Sequence, residues 1–437
     1  MTSKVLIKNG RVIDPSTSLD EQLDVLVADG NIAEVRADIK PQGEVEIVDA
    51  PGCIVTPGLI DCHVHLRESG REGAKYTGEI GQAKETIGSG SRAAAKGGFT
   101  TILCEPNTTP PIDSCMRVDE LQKRITHTSL VETYLKASMT LDMQGERITD
   151  IKKLSGHPLV KALSEDGNPI VEDKLMGEVC RLAAENNLPL SCHCEDSSFS
   201  LTKRSKKLGF RPREDFHNEP NFITRDILLA EANHAQIHIS HVSMKESLEI
   251  IRRAKTRSRA LVTCEVTPHH LLLEDSFRDP SGSRVIVNPP LRSKEDREAL
   301  LEALKEGIID LIASDHAPHG EEDKKAGAPG LIGLETTLGL VLTRLVRPGI
   351  ISLTRAIRMM STSPATTFRL EGGSFKKGAR ADITIIDPGR EWTVDTGKFE
   401  SLSRNCPFEG WRLQGQAVAA TVGGRIVMRD GELIQCI

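Results

Sequence analysis

This 437-residue sequence has no long apolar run, no block of like charge and no low-complexity tract. The first absence excludes a membrane-spanning helix, which needs about 20 consecutive apolar residues. The opening stretch, MTSKVLIKNGRVIDP, also lacks the apolar core of a signal peptide. The second absence excludes a nucleic-acid or membrane-surface footprint, because 56 Lys and Arg are interspersed with 62 Asp and Glu for a net charge of −6. There is no short-period repeat beyond an alternation of strands and helices. Ten cysteines are present but scattered, several of them in strand-like apolar runs (Cys104, Cys192, Cys194, Cys264). Reduced thiols and a cytoplasmic location are therefore expected rather than a disulfide framework.

What is there begins at the two ends of the chain. Val5–Lys8, Asp24–Val27, Ile32–Val35 and Val45–Val48 read as short strands punctuated by Asn9-Gly10 and Asp29-Gly30. The C-terminal part is similar, with Ala381–Ile386, Ala417–Val422 and Arg425–Met428 around Gly423-Gly424. Neither end looks able to close a core alone, so residues 1–56 and 369–437 are expected to combine into one small β-sandwich domain. Between them, eight apolar strand candidates alternate with helices: Gly58–Leu66, Phe99–Pro106, Val131–Met139, Leu159–Ser164, Leu188–Cys194, Gln236–Val242, Ala260–Val266 and Ile308–Ser314. Lys174–Asn187 and Ser293–Glu306 are helical by periodicity, and Gly97-Gly98 and Gly307 are helix stops. Eight such units predict an α/β fold, a (β/α)₈ TIM-type barrel over residues 57–368, with its chemistry at the C-terminal ends of the strands.

Metal-type residues stand at those ends. His63 and His65 close the first strand on one shared face, and Arg67 follows with a fork suited to a carboxylate. Asp166 follows strand four, His193 ends strand five, His241 ends strand six and Asp315 ends strand eight. Any one alone would more often be a capping Asp or a satisfied histidine. Four imidazoles and two carboxylates on one rim over-supply a single tetrahedral ion, so two divalent metals are the economical reading.

At this point the chain resembles the amidohydrolase superfamily, and more narrowly the bacterial dihydroorotases, over nearly its whole length. The resemblance rests on DCHVHLR, GGFTTILCEPNT, SEDG, HCED, HVS, NPPLR and DHAPH. It implies that His63, His65 and Asp315 bind one metal, that His193 and His241 bind the second, and that Asp166 bridges them, with zinc as the expected ion. It implies further that Arg67 and Asn107 hold the substrate carboxylate, that His65, Asn288 and His319 also touch substrate, and that Gly330 offers a backbone contact. A hydroxide shared by the metals would attack a ring amide of dihydroorotate, with Asp315 as the catalytic proton shuttle. The product would be N-carbamoyl-L-aspartate, in the third step of pyrimidine biosynthesis. A homodimer and an association with aspartate transcarbamoylase are the partner expectations.

Several points stay open at this level. The family's usual Asp-Asp before Gly is Glu165-Asp166 here, so Glu165 competes for the bridging role. Lys161 sits where relatives with a carboxylated lysine bridge carry theirs. Arg71–Gln82 looks like an insertion beside the site. Cys194 is expected to be a buried structural thiol, His269-His270 structural or supporting, and His316 turned away from the metals. A hydantoinase or allantoinase would share the metals but usually lacks an arginine after His-x-His. A non-catalytic scaffold subunit typically loses metal ligands.

Overall fold

A computed structural model describes residues 4–40, 43–68, 84–195, 219–257, 261–280 and 285–434. The Arg71–Gln82 segment lies outside the described residues. The first five strands are β1 (Lys4–Asp14), β2 (Leu19–Ala28), β3 (Asn31–Arg36), β4 (Glu46–Asp49) and β5 (Ile54–Pro57). Asp29 and Gly30 join β2 to β3 with φ of 52° and 76°, the doubly left-handed backbone that a two-residue hairpin demands.

The next eight strands are β6 (Leu59–Val64), β7 (Phe99–Cys104), β8 (Glu132–Ser138), β9 (Val160–Ser164), β10 (Leu190–Cys192), β11 (Ile237–Ile239), β12 (Val262–Val266) and β13 (Leu311–Ile312). Each pairs in parallel with the next, inside the span expected for it. The ring closes where Val64 bridges His316 in parallel and the His65 N–H donates to the His316 carbonyl at 2.8 Å. Asp61 reinforces the seam, because its carboxylate accepts the Ser314 N–H at 3.2 Å. The final strands, β14 (Ile383–Thr393), β15 (Arg412–Val422), β16 (Arg425–Arg429) and β17 (Glu432–Leu433), return to the first five. The result is one nine-stranded sheet in the order β17-β16-β15-β14-β5-β1-β2-β3, with β4 beside β1. β14 lies antiparallel to β5 and so unites the two ends of the chain. Its core is Val5, Ile7, Val25, Val27, Ile383 and Ile385.

The helices between barrel strands start and stop where local chemistry dictates. Thr86 caps Ile87–Lys96 in a capping box with Ser89, and Gly97 ends it. A side chain at Gly97 would collide with the Leu334 carbonyl, and Gly98, at φ 88°, lies against Ala417 of β15. Ser293 caps Lys294–Glu306, and Gly307 ends it in the left-handed region at φ 89°.

Inside the barrel the floor is apolar, formed by Ile60, Leu103, Ala162, Leu311, Ala313 and Phe368. Above it the lining turns polar: His63, Glu105, Lys136, Ser191, His238 and Glu265 are all buried. A register shift between Asp61 and Val64 sits at this change of layer. Because of it, neighbouring Cys62 and His63 both face the interior, and both meet Glu265. Simple alternation predicts the shared face of His63 and His65 but not this change of phase.

The closing role of Asp61 is testable by thermal denaturation of the metal-free protein. Asp61→Ala leaves a buried N–H without its partner and is expected to cost about 2–3 kcal/mol, whereas Asp61→Asn, which keeps an acceptor oxygen, recovers most of that loss. Equal midpoints for wild type and the alanine variant would show that the seam holds without it.

Candidate metal centre

The expected residues do converge. His65 Nε2 lies 3.2 Å from Asp315 Oδ1 and 3.3 Å from Asp166 Oδ1. His63 Nε2 lies 3.4 Å from Asp166 Oδ2 and 3.6 Å from Asp315 Oδ1. His193 Nδ1 stands 3.1 Å from Asp166 Oδ2 and 2.9 Å from His241 Nε2, which is itself 3.6 Å from Asp166. Asp166 is thus the group that all four imidazoles face. Ligands at about 2.0–2.1 Å around a tetrahedral ion lie roughly 3.3 Å from one another. Most of these separations match that edge and exceed an ordinary hydrogen bond. Two sets, His63/His65/Asp315 and His63/Asp166/His241, keep every ligand atom within 4.8 Å of the others. His63 Nε2 and Asp166 Oδ2 are both buried with no hydrogen-bond partner.

The electrostatics point the same way. Burial by itself would depress the His63 pKa, but the carboxylates of Glu105 and Glu265 push it well above the ordinary value. His193 is likewise raised, against burial, by Asp166. Burial would raise Asp166 and Asp315, yet the imidazoles around them hold both below the usual carboxylate range. Asp61, Glu105, Asp166, Glu265 and Asp315 are all buried around this cluster, with Lys136 the buried ammonium among them. Two divalent ions would bring that interior to neutrality. The donor set therefore fits a pair of hard or borderline cations in type, spacing and charge.

The backbone presents these groups in strained conformations. Arg67, His241 and Asp315 have φ of 52°, 31° and 48°, a region that costs a residue other than glycine roughly 1–3 kcal/mol. Each follows a strand end and is turned inward by that twist.

Each first-strand histidine is fixed from behind. His63 Nδ1 donates to Glu265 Oε1 at 2.6 Å, and Glu265 Oε2 also accepts from His238 Nε2 at 3.0 Å and Cys62 Sγ at 3.1 Å. His65 Nδ1 donates to Asn107 Oδ1 at 2.8 Å. Both rings are thereby held with the Nε2 lone pair facing the aspartates. Glu265, Glu105, Lys136 and His238 are not among the residues read from the sequence. Their one signal is a charged or imidazole side chain inside an otherwise apolar barrel strand or at its end, as with Glu265 in Thr263-Cys264-Glu265-Val266.

The structure places several of the residues left open above. Glu165 turns away, accepting the Met139 and Thr140 N–H groups at 2.9 and 3.1 Å, so Asp166 is the member of the pair that enters the cluster. The Lys161 ammonium lies over the Tyr134 ring, 4.8 Å from its centroid, near the N-terminal ends of β8 and β9. Cys194 is buried beside Cys192 and Asp226. His316 bonds Glu85 at 3.2 Å and receives the Gly333 N–H, so it packs the rim. His270 is held by Thr267 and the Pro289 carbonyl, and His269 stacks on it.

Around the mouth, an Arg67 η nitrogen lies 3.4 Å from His319 Nε2 and the Asn288 amide lies 3.1 Å from His193 Nε2. Burial, Arg67 and Lys84 together hold the His319 pKa down to about 3. Gly330, at φ 139°, gives its carbonyl to Lys324 and Asn405.

A model of the amidohydrolase family matches residues 54–427. A dihydroorotase of Halalkalibacterium halodurans is 40% identical across 98% of this chain and 99% of its own. One from Aquifex aeolicus is 40% identical across 98% of this chain and all of its own. Among solved structures, the L-hydantoinase (dihydropyrimidinase) of Arthrobacter aurescens superposes with a TM-score of 0.85 at 28% identity, covering 100% of this chain and 98% of that one.

Glu265→Gln tests the support behind His63. Its amide cannot accept from three donors as the carboxylate does, so metal affinity is expected to fall about 10–100-fold with the fold intact. Competition against a chelator reads this directly, and an unchanged affinity would remove Glu265 from the site.

Proposed function

The chain belongs to the amidohydrolase family, and we propose that within it the enzyme is a dihydroorotase. The reaction is hydrolysis of the ring amide of dihydroorotate to N-carbamoyl-L-aspartate, and ring closure in the reverse, biosynthetic direction. What supports this reading is 40% identity to dihydroorotases over nearly the full length of the chain, with the Arg67 guanidinium beside His319 at the mouth of a cluster that could hold metal ions. Hydantoinase activity is the second reading, favoured by the 28% identity to the L-hydantoinase. Retention of all six ligand residues argues against a non-catalytic scaffold.

In the proposed assignment His63, His65 and Asp315 hold one ion, His193 and His241 the other, and Asp166 stands between them. Zinc is the proposed ion, with the cytoplasm as location and a homodimer or a transcarbamoylase complex as assembly. A divalent pair, when bound, acidifies water toward neutrality and polarises a carbonyl oxygen. Arg67 and Asn107 grip the substrate carboxylate and so orient the ring over the aspartates. The Asn107 Oδ1 is engaged by His65 and its amide donates one N–H to the Asp166 carbonyl at 3.5 Å, so the second N–H is the one Asn107 would offer an anion. His319 stays neutral near pH 7, and with Nε2 accepting from Arg67 it presents Nδ1–H to the substrate. Asp315 takes the proton of the attacking water and returns it to the departing ring nitrogen, a transfer worth typically about 10²–10⁴-fold.

Turnover of dihydroorotate, hydantoin and allantoin by the purified enzyme separates the readings. Dihydroorotate should be the substrate, and activity confined to the other two would overturn the proposal. Asp315→Ala should lower kcat by at least about 10²-fold in a folded protein, and wild-type rates would remove its proton-carrying role. Arg67→Lys replaces a fork by a point charge and should raise KM about tenfold with a smaller change in kcat. An unchanged KM would show that Arg67 does not hold the carboxylate.

A further inference from the structure

Glu105 and Lys136 form a buried ion pair that the proposed mechanism does not use. Glu105, just past the end of β7, is 1% exposed, and Lys136, on β8, is fully buried. The Lys136 ammonium donates to Glu105 Oε1 and, at 2.8 Å, to Ser191 Oγ on β10, which in turn meets Ser240 Oγ at 3.1 Å. It also lies over the Phe368 ring, 5.5 Å from the centroid. The ammonium is thus committed on several sides. Glu105 is not: Oε2 is buried with no hydrogen-bond partner, and Oε1 stands 3.6 Å from His63 Nε2. That separation equals the distance from His63 Nε2 to Asp315 Oδ1, which belongs to the ligand cluster. Glu105 is therefore a seventh acidic or imidazole group at ligand distance, and its carboxylate faces a choice between two cations.

We propose that Lys136 is a positioning residue that withholds Glu105 from the ion beside His63. A catalytic centre of this type must keep a coordination position open for water and substrate. An additional buried carboxylate would fill that position and add charge to a balanced site. Lys136 neutralises Glu105 through Oε1, the same oxygen that stands near His63, and anchors it to β8 and β10, so the open position survives in a strongly anionic pocket. Remove the ammonium, and Glu105 becomes a buried anion whose remaining route to a counter-charge is the ion. The inference rests on the two-metal reading above.

The test compares zinc-loaded wild type, Lys136→Met and the double variant Glu105→Gln/Lys136→Met. Zinc release to an excess of chelator, zinc stoichiometry, and the visible spectrum of the cobalt-substituted forms are measured alongside activity. Lys136→Met is expected to release zinc about tenfold more slowly than wild type, and its cobalt spectrum should weaken as a ligand is added. The double variant should hold two ions and return to a near-wild-type release rate and spectrum. A folded Lys136→Met with wild-type release and spectrum would overturn the proposal. So would loss of an ion from the double variant, because Glu105 would then already be a ligand. If Lys136→Met does not fold, the stoichiometry of the double variant decides alone. A wild-type protein that takes up no divalent ion would instead overturn the two-metal reading itself.

Discussion

The barrel mouth is organised by uncompensated negative charge. Five carboxylates are buried within or beneath one cluster of histidines, and isolated buried anions are among the most expensive groups a protein can hold. Every neighbouring feature answers that constraint. Glu265 is paired by two imidazoles and a thiol, Asp61 by the backbone N–H groups of His63 and of Ser314 across the seam, and Glu105 by Lys136. Asp166 and Asp315 face two or more of the metal-type imidazoles each, at spacings suited to ions. The fold thus spends its hydrogen bonds on the supporting carboxylates and leaves the two central ones to cations.

The backbone bears part of the cost. The register shift in β6 and the left-handed φ at Arg67, His241 and Asp315 are local penalties that a sequence optimised for stability alone would avoid. All of them lie at or next to the C-terminal strand ends. The apolar floor below, and the sheet that joins the termini behind it, supply the rigidity against which that strain is held. Side chains mounted on strand ends and locked from behind keep their geometry better than side chains on free loops.

Much of this was legible in the sequence, for physical reasons that can be named. The eight strands were visible because each is an apolar run of strand length between helix signals. The convergence of the six candidate ligand residues was visible because a parallel barrel restricts chemistry to one end of each strand. Glu265, Glu105 and Lys136 were not, because their meaning depends on which strands become neighbours across the interior. Lys136 meets Glu105 and Ser191 from strands 31 and 55 residues away, and no periodicity encodes that. The phase change at Cys62-His63 was hidden for a related reason: a bulge is set by pairing with the next strand, not by the strand's own pattern. Glu165 and Asp166 show the converse. Both types could bridge ions, and only the loop after β8, whose N–H groups claim Glu165, separates them.

The two sides of the mouth are electrostatic opposites. The inner side is anionic and calls for cations. The outer side carries Arg67, Lys324 and a Lys84–Asp323 ion pair at 2.9 Å around a neutral His319. A substrate with a carboxylate at one end and an uncharged amide at the other matches this polarity: in the proposed assignment the anion would seat on the guanidinium while the carbonyl turned toward the cations. A neutral cyclic amide such as hydantoin would forgo that attraction while still displacing water from around the guanidinium. Discrimination against neutral rings would then come from the attraction that only an anionic ring gains. In the proposed assignment it is the arginine after the His-x-His pair, rather than the metal-type residues, that would set which ring is opened.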